Sequence, residues 1–399
     1  MSVDTEDPIR VLLYSHDSQG LGHIRRNLAL AHALAQQLPQ QTGRPVTGLL
    51  LTGVGHAASA ELPDGFDVVV LPGVCKGQSG YRPRHVQMPM AELIDVRGQM
   101  LGAVIGGFRP DLVIIDRHAH GVDGELQAAL ARLRRDQPRA SVVLGLREVL
   151  DSPAVAIEEW ARLGDPQVLR DTFDEIWVYG DPEVHDPRAS GEVPLALRDL
   201  VRFTGYLAAG RRATPSAEPD VAPYLLTMVG GGSDGQALCR IAVRAPVPAG
   251  YRHLIVTGPQ MPQAERRQIE RSAGPRTQVV DAVPDGLTTI RGASAVIAMA
   301  GYNTTCEIMS TDTPALLVPR ETPRMEQRIR AEGLSRIGAV EVCRQPDLTA
   351  ERLGRWMADA VGRQAPRRGI DLRGLSAVVR RAARLVQGAP QRVVSGVAG

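Results

Sequence analysis

The segment 298-AMAGYNTTCEIMSTDTPALLVPRETPRMEQRIRAEGL-334 contains two short apolar runs, each followed by a helical pattern. The apolar runs predict strands at 295–299 and 315–318, and the patterns behind them predict helices at 304–310 and 323–336. Apolar strands that alternate with helices are typical of a parallel sheet covered on both faces. This segment therefore predicts an α/β fold.

The same alternation extends over most of the 399 residues. Further strands are predicted at 10–14, 46–51, 67–71, 112–115, 142–146, 176–179, 224–229, 253–256 and 278–280. The stretch AAGRRATPSAEPD, 208–220, interrupts the pattern with Pro, Ala and charged residues. We therefore predict two sheet domains, 1–207 and 223–365, a linker at 208–222, and a C-terminal helix and tail at 366–399. Because ligands bind at the carboxyl ends of parallel strands, two facing sheets would form a cleft.

A glycine-rich turn, 228-MVGGGSDG-235, follows one predicted strand and opens a helix. Backbone N–H groups at such a turn suit a phosphate, here at Gly231, Gly232 and Ser233. Gly230, Gly232 and Gly235 also match the G-x-G-x-x-G dinucleotide fingerprint. That fingerprint needs an acidic residue about 20 positions on, and the next strand ends without one, which disfavours an NAD-dependent oxidoreductase. A purely structural strand-to-helix turn is the alternative.

Polar residues at the two helix starts in 298–334 suit a nucleotide and a sugar. The hydroxyls of Thr304 and Thr305, with the free N–H groups of a helix start, suit a diphosphate. Glu307 lies near the first turn, where its carboxylate can accept hydrogen bonds from a ribose diol. Glu326 and Gln327 together supply the acceptors and donors that sugar hydroxyls require.

The segment 15-SHDSQGLGHIRRNLALAHAL-34 places His23 where the first strand turns into a helix. A helix N-terminus disfavours the imidazolium ion, which keeps the ring neutral and available as a base. Asp116 ends another strand on the same rim, where a carboxylate can orient the ring and stabilise its charged form. His16, His118 and His120 compete for this role, and simple helix capping is the structural alternative.

The C-terminal motif resembles that of the GT-B glycosyltransferases, especially family 28, the branch that contains the bacterial lipid II-forming N-acetylglucosaminyltransferase. Gly301, Thr304 and Glu307 match its G-x-x-T-x-x-E motif. In that family the motif binds the nucleotide diphosphate and the ribose. The resemblance covers nearly the whole chain and implies an α/β fold of two Rossmann-like domains that face each other across a cleft.

Two further motifs carry the same resemblance. Glu326 and Gln327 match the family's acidic-Gln pair, which contacts the donor sugar, and Gly20, Gly22 and His23 match its G-x-G-H loop at the reaction centre. The resemblance implies a nucleotide-diphosphate sugar as donor, with a UDP-sugar favoured, and His23 as general base beside Asp116. The residues expected to contact the donor are Gly22, Gly231, Gly232, Ser233, Val283, Asp285, Gly301, Asn303, Thr304, Thr305, Glu307, Arg320, Glu326 and Gln327.

Three other functions are compatible with these motifs or with this fold. The stretch 22-GHIRRNLALA-31 resembles that of the nucleotide-sugar hydrolases of pseudaminic acid biosynthesis, in which the histidine activates water. Sugar-nucleotide 2-epimerases share the fold, and a nucleotide-binding protein without turnover is the non-enzymatic alternative. For a transferase, we expect Tyr81, Arg82 and His118 to contact a small-molecule or lipid-linked acceptor.

Composition excludes several classes of protein. The net charge of +2 and the 23% of charged residues do not indicate binding to nucleic acid. The four cysteines are far apart, so neither a zinc site nor a disulfide framework is expected. No apolar stretch reaches the roughly 18 residues that would predict a transmembrane helix. We therefore expect a soluble, cytoplasmic protein that needs neither a metal nor a cofactor.

Overall fold

The computed structural model describes residues 7–16, 22–55, 61–77, 80–212 and 222–388. The N-terminal sheet has seven parallel strands in the order β3-β2-β1-β6-β7-β8-β9, and β4 and β5 form a separate antiparallel hairpin. The elements of this half are β1 Ile9–Tyr14, α1 Gly22–Thr42, β2 Val46–Thr52, β3 Phe66–Val70, β4 Val74–Lys76, β5 Tyr81–Pro83, α2 Met90–Phe108, β6 Leu112–Asp116, α3 Gln127–Asp136, β7 Ser141–Arg147, α4 Pro153–Ala161, α5 Pro166–Thr172, β8 Glu175–Tyr179 and β9 Val201–Phe203.

The C-terminal sheet has six parallel strands in the order β12-β11-β10-β13-β14-β15. Its elements are β10 Tyr224–Met228, α6 Gln236–Ala242, β11 Arg252–Val256, α7 Gln263–Arg271, β12 Thr277–Val280, α8 Gly286–Gly292, β13 Ala295–Ala298, α9 Tyr302–Met309, β14 Ala315–Leu317, α10 Glu326–Arg336, β15 Glu341–Val342, α11 Ala350–Ala360 and α12 Gly374–Gly388. Single 3-10 turns lie at Val122–Gly124, Leu195–Leu200 and Gln345–Asp347.

The two parallel sheets confirm the predicted fold class, and each predicted strand lies within one or two residues of an observed one. Two edge strands, β9 and β15, were not predicted because they have only three and two residues. Helix α3 begins at Gln127 and not directly after the 3-10 turn that ends at Gly124. Asp123 and Gly124 have positive φ angles of 45° and 87°, which an α-helix does not tolerate.

The C-terminal helix α12 packs against α1 and shares a buried apolar cluster with it. Leu30 and Leu34 of α1 and Val378 and Val379 of α12 are fully buried in this cluster. The helix begins at Gly374, where a Cβ atom would lie 2.4 Å from a backbone carbonyl oxygen and would clash. Among the described residues, no helix is long and apolar enough to cross a membrane.

Buried polar contacts join the two halves of the chain. The guanidinium of Arg330, on α10, donates to both carboxylate oxygens of Glu148 at 2.7 and 3.0 Å, and neither side chain is exposed. The hydroxyl of Tyr302, on α9, donates to the backbone oxygen of Tyr179 at the end of β8, at 2.8 Å. These contacts hold the carboxyl ends of the two sheets toward each other.

Candidate active site

A cleft of about 580 Å³ lies between the carboxyl ends of the two sheets. That volume is in the range of small-molecule sites, roughly 300–1,000 Å³. The N-terminal half contributes the first turn of α1 and the end of β7. The C-terminal half contributes the loops after β10 to β14 and the start of α10. The predicted site residues that line the cleft are Gly22, His23, Gly231, Val283, Gly301, Asn303, Thr304, Arg320, Glu326 and Gln327.

His23 and Asp116 meet at the floor of this cleft. The Nδ1 atom of His23 lies 2.6 Å from Oδ2 of Asp116, which is almost fully buried. The strands that precede them, β1 and β6, are neighbours in the sheet, so their carboxyl ends bring the two side chains together. Donation from Nδ1 to the carboxylate leaves Nε2 as the nitrogen that can accept a proton. Nε2 has no hydrogen-bond partner among the described residues.

Arg26 is the second partner of Asp116. Its guanidinium donates to both carboxylate oxygens, with Nη2 at 2.7 Å from Oδ1 and 2.6 Å from Oδ2. Burial favours the neutral form of Asp116, but Arg26 and His23 outweigh it and hold the pKa of the carboxyl well below its usual range. Burial lowers the pKa of His23 despite the opposing charge of Asp116. The pair is therefore a neutral imidazole beside an ionised carboxylate at neutral pH.

A cluster of aromatic and imidazole rings lies beside His23. The rings of His16 and His118 lie with their centroids 3.6 Å apart and their planes tilted by 34°, and Nε2 of His16 lies 2.8 Å from the hydroxyl of Tyr81. The ring of His16 also packs edge-on against that of His23, at 5.7 Å. Two of the three predicted acceptor residues, Tyr81 and His118, therefore contact His16, and the ring of His16 packs against that of His23. The third, Arg82, is exposed on the β4–β5 hairpin and does not line the cleft.

We expect the free energy of unfolding to fall as the pH is lowered below about 6.5, the usual histidine pKa. Burial lowers the pKa of His16 to about 3, and it also lowers those of His23 and His118. The unfolded chain therefore takes up protons that the folded chain does not, so acid favours unfolding. Each histidine contributes up to about 1.4 kcal/mol per pH unit between its unfolded and folded pKa values.

Urea unfolding at about pH 7.5 and about pH 5 measures this dependence. A His118→Phe variant keeps the ring contact but lacks one titrating group, so its pH dependence is expected to be weaker than that of the wild type. Equal slopes for the two proteins would show that His118 is not held neutral.

On the opposite wall, loops of the C-terminal half form the predicted nucleotide site. Gly301 is the N-cap of α9, and Asn303 and Thr304 lie in its first turn. The Nδ2 atom of Asn303 donates to the backbone oxygen of Gly22 at 2.8 Å, which ties this helix start to the start of α1. Gly20 of the same N-terminal motif lies outside the described residues.

Five predicted donor residues do not line the cleft: Gly232, Ser233, Asp285, Thr305 and Glu307. Gly232 has φ +94°, and a Cβ there would lie 2.2 Å from a backbone oxygen, so this glycine is needed for the turn itself. Ser233 is exposed beyond the turn. Asp285 is the N-cap of α8, where its Oδ1 accepts from the backbone N–H of Thr288 at 3.0 Å. Thr305 is fully buried on the inner face of α9. The predicted contacts of these residues with the donor stay predictions.

Glu307, predicted to bind the ribose, lies behind Gly286 at the cleft wall. Its Oε1 accepts from Nη2 of Arg25 at 3.0 Å and lies 3.7 Å from Nη1 of Arg211. Its Oε2 is buried without a hydrogen-bond partner among the described residues. A Cβ atom on Gly286, which does line the cleft, would lie 3.0 Å from that oxygen. A side chain at position 286 would therefore crowd the Glu307 carboxylate, whereas glycine leaves room beside it.

Glu326 and Gln327 open α10 and line the same cleft as His23. Nη2 of Arg320 donates to Oε1 of Glu326 at 2.7 Å, and its Nε lies 2.6 Å from Oδ2 of Asp234. The side-chain oxygen of Gln327 accepts from the backbone N–H of Arg320 at 3.3 Å. Arg320 thus orients the acidic-Gln pair, and its own charge is already matched by two carboxylates.

Three arginines of the site were not predicted from the sequence: Arg25, Arg26 and Arg147. One signal existed for Arg26, because residues three positions apart share a helix face and place it beside His23. Arg25 and Arg147 gave no such signal, since their partners are about 280 and 180 residues away in sequence. The predicted absence of a metal site remains untested, although the described residues contain no cluster of three or more side chains suited to a metal ion.

Two facing parallel sheets with a cleft between them indicate the GT-B class of fold, and comparisons with known proteins agree with this class. Residues 226–362 match the glycosyltransferase family 28 C-terminal domain. The crystal structure of the calicheamicin glycosyltransferase CalG4 has a TM-score of 0.60 over 97% of this chain and 99% of that one, at 17% identity. Acinetobacter baumannii MurG has a TM-score of 0.54 over 96% and 100%, at 15% identity. The chain therefore has the GT-B fold.

Two curated relatives show which glycosyltransferases this chain resembles in sequence. An uncharacterized glycosyltransferase of Methanosarcina mazei is 24% identical over 76% of this chain and 78% of its own length. The UDP-N-acetylglucosamine–N-acetylmuramyl-(pentapeptide) pyrophosphoryl-undecaprenol N-acetylglucosamine transferase of Brucella abortus is 30% identical over 40% of this chain, and the match spans 44% of that relative. The resemblance to the family 28 branch of GT-B glycosyltransferases is thereby confirmed, and the comparisons support a glycosyltransferase.

Proposed function

We propose that this protein transfers a sugar from a nucleotide-diphosphate sugar to an acceptor hydroxyl, with His23 as the general base. The observation that carries the proposal is the His23–Asp116 pair at 2.6 Å, on the floor of the cleft that the family 28 C-terminal domain faces. Transfer requires a proton to leave the acceptor hydroxyl as it attacks the anomeric carbon. An uncharged imidazole held by a buried carboxylate is suited to take it.

The donor would bind against the C-terminal half. Its diphosphate would lie at the start of α9, where Thr304 and free backbone N–H groups line the cleft, and the nucleoside would lie near Val283. The sugar would extend toward Glu326 and Gln327. A UDP-sugar is favoured because the Brucella relative is named for a UDP-N-acetylglucosamine donor. In this scheme, helix N-termini and arginines match the charge that develops on the departing diphosphate.

The acceptor would approach His23 from the N-terminal half. The ring cluster of His16, His118 and Tyr81 lies next to His23 and forms a wall of uncharged rings on this side. Such a wall suits an uncharged acceptor group, carried on a small molecule or on a lipid-linked chain.

A donor panel tests the proposal. We expect one nucleotide class among UDP-, GDP- and TDP-sugars to raise the thermal unfolding midpoint, with little release of free sugar when no acceptor is present. Mass spectrometry follows the products. Rapid release of free sugar and nucleotide that His23→Ala abolishes would establish a hydrolase instead, and inversion at C2 of the sugar would establish an epimerase. Binding without any turnover across a broad acceptor panel would favour a nucleotide-binding protein.

A further inference from the structure

Arg147 ends β7 and lines the cleft from the N-terminal side, opposite Glu326. Its Nε is buried without a hydrogen-bond partner among the described residues. Its Nη1 lies 4.0 Å from Oε1 of Glu326, which is beyond hydrogen-bond distance. By contrast, Arg25, Arg26 and Arg320, which also line the cleft, each donate a hydrogen bond to a carboxylate oxygen within 3.0 Å, although the Nε of Arg320 has no hydrogen-bond partner in the described part of the chain either. Among the described arginines that line the cleft, Arg147 is thus the one that donates no hydrogen bond to a carboxylate.

A buried donor without a hydrogen-bond partner is costly, so the Nε of Arg147, within a side chain that is 21% exposed, points to a group that is bound there. Burial lowers the pKa of Arg147 to about 10, with the nearby Glu326 opposing that shift, and the side chain therefore stays charged at neutral pH. A guanidinium offers five N–H donors in one plane. Arg147 accordingly presents several unused donors to the cleft.

The facing groups on α10 are also incompletely paired. Oε2 of Glu326 is buried without a hydrogen-bond partner, and the side-chain NH2 of Gln327 has none among the described residues. Burial raises the pKa of Glu326, but Arg147 and Arg320 outweigh it, so the carboxylate is ionised. Unused donors on one domain therefore face an unused acceptor and a further donor on the other.

We propose that Arg147 completes the donor-sugar subsite, so that Arg147, Glu326 and Gln327 together bind neighbouring hydroxyls of an uncharged hexose from both domains. This inference rests on the proposed function and extends it to the class of sugar. A hydroxyl can donate to Glu326 while its neighbour accepts from Arg147, which satisfies all three side chains. A sugar carboxylate in the same place would lie beside the carboxylate of Glu326, and that like-charge contact is unfavourable.

The subsite also explains how the sugar, and not the nucleotide, can bridge the two domains. The nucleotide contacts proposed above all come from the C-terminal half. Arg147 belongs to the N-terminal sheet and lines the same cleft as His23. Binding of the hexose would therefore hold the N-terminal sheet against α10.

Titration calorimetry on an Arg147→Met variant tests the inference. The probes are the nucleoside diphosphate selected by the thermal-unfolding panel, its glucose and N-acetylglucosamine derivatives, and its glucuronate derivative. We expect affinity for the neutral sugar derivatives to fall about 10- to 100-fold, as for loss of hydrogen bonds to a charged group, with affinity for the diphosphate unchanged. Arg132→Met, on the exposed face of α3, removes the same charge away from the cleft and should bind every probe like the wild type.

Three results would overturn the inference. Weaker binding of the nucleoside diphosphate itself by Arg147→Met would place Arg147 at the phosphates. Unchanged affinity for every probe would show that Arg147 does not touch the donor, and tighter wild-type binding of the glucuronate derivative than of the neutral ones would exclude the neutral class. If the methionine variant does not fold, Arg147→Lys, which keeps the charge but not the planar fork, is expected to lose sugar affinity in the same way. A wild-type protein that binds no nucleotide would instead refute the proposed function.

Discussion

Replacing His23 by alanine is expected to lower kcat by about 10²- to 10⁴-fold, the contribution that a positioned general base makes. The variant loses the imidazole whose Nδ1 lies 2.6 Å from Asp116 and whose Nε2 is the proton acceptor in the proposed transfer. Binding of the nucleoside diphosphate should change little, because the proposed nucleotide contacts lie on the C-terminal half. Release of nucleoside diphosphate in the presence of acceptor measures kcat, and calorimetry measures nucleotide affinity.

The pH profile separates the loss of a base from a structural effect. Because burial lowers the pKa of His23, we expect kcat/KM of the wild type to fall only below about pH 6.5, when the imidazole becomes protonated. The residual activity of His23→Ala should lack that acid limb. His32→Gln, further along α1 and outside the cleft, is the matched control and should keep the wild-type profile. An alanine variant that retains more than about a tenth of wild-type kcat would assign the base to another group.

Replacing Glu148 by alanine is expected to destabilise the protein by about 3–5 kcal/mol, the usual cost of breaking a buried ion pair by removing one partner. Arg330 and Glu148 are both fully buried, and the substitution leaves the guanidinium without its counter-charge. Glu148 also accepts from the hydroxyl of Tyr206 at 2.8 Å, so a second buried donor loses its partner. Urea unfolding of wild type and variant measures the difference.

A double variant distinguishes an uncompensated charge from a cavity. In Glu148→Leu with Arg330→Met, both charges are replaced by apolar side chains, and much of the lost stability should return. The Glu148–Arg330 ion pair joins the end of β7 to α10. We therefore also expect Glu148→Ala to weaken donor binding more than a substitution whose contacts all lie within one sheet. A loss of less than about 1 kcal/mol in Glu148→Ala would show that water or a neighbouring group compensates Arg330.

The strands of both sheets could be predicted because their apolar runs are buried on both faces. The run at β6, Leu112–Asp116, is buried at every position, and such a run is recognisable without its neighbours. The hairpin of β4 and β5 was not predicted, because its strands have three residues each and carry partly exposed side chains. Short edge elements are decided by their partners, so local sequence does not reveal them.

In the candidate site, too, some features could be predicted from the sequence and others could not. His23 and Asp116 were predicted to be partners because each follows a strand, and parallel strands bring their carboxyl ends to one rim. The motif residues Glu307 and Asp285 were predicted to contact the donor, but one lies behind Gly286 and the other caps a helix. A motif specifies which residues are close in the chain, whereas the direction of each side chain depends on packing around it.

The sequence by itself determined the fold class, the two sheets, and the strand ends at which the site residues lie. Periodic burial and strand-to-helix turns are local properties, and a few residues are enough to encode them. The tertiary structure decided which arginines are matched by carboxylates and which, like Arg147, keep their donors for a ligand. That outcome depends on distances between residues about 180 positions apart, which only the packing of the two domains determines.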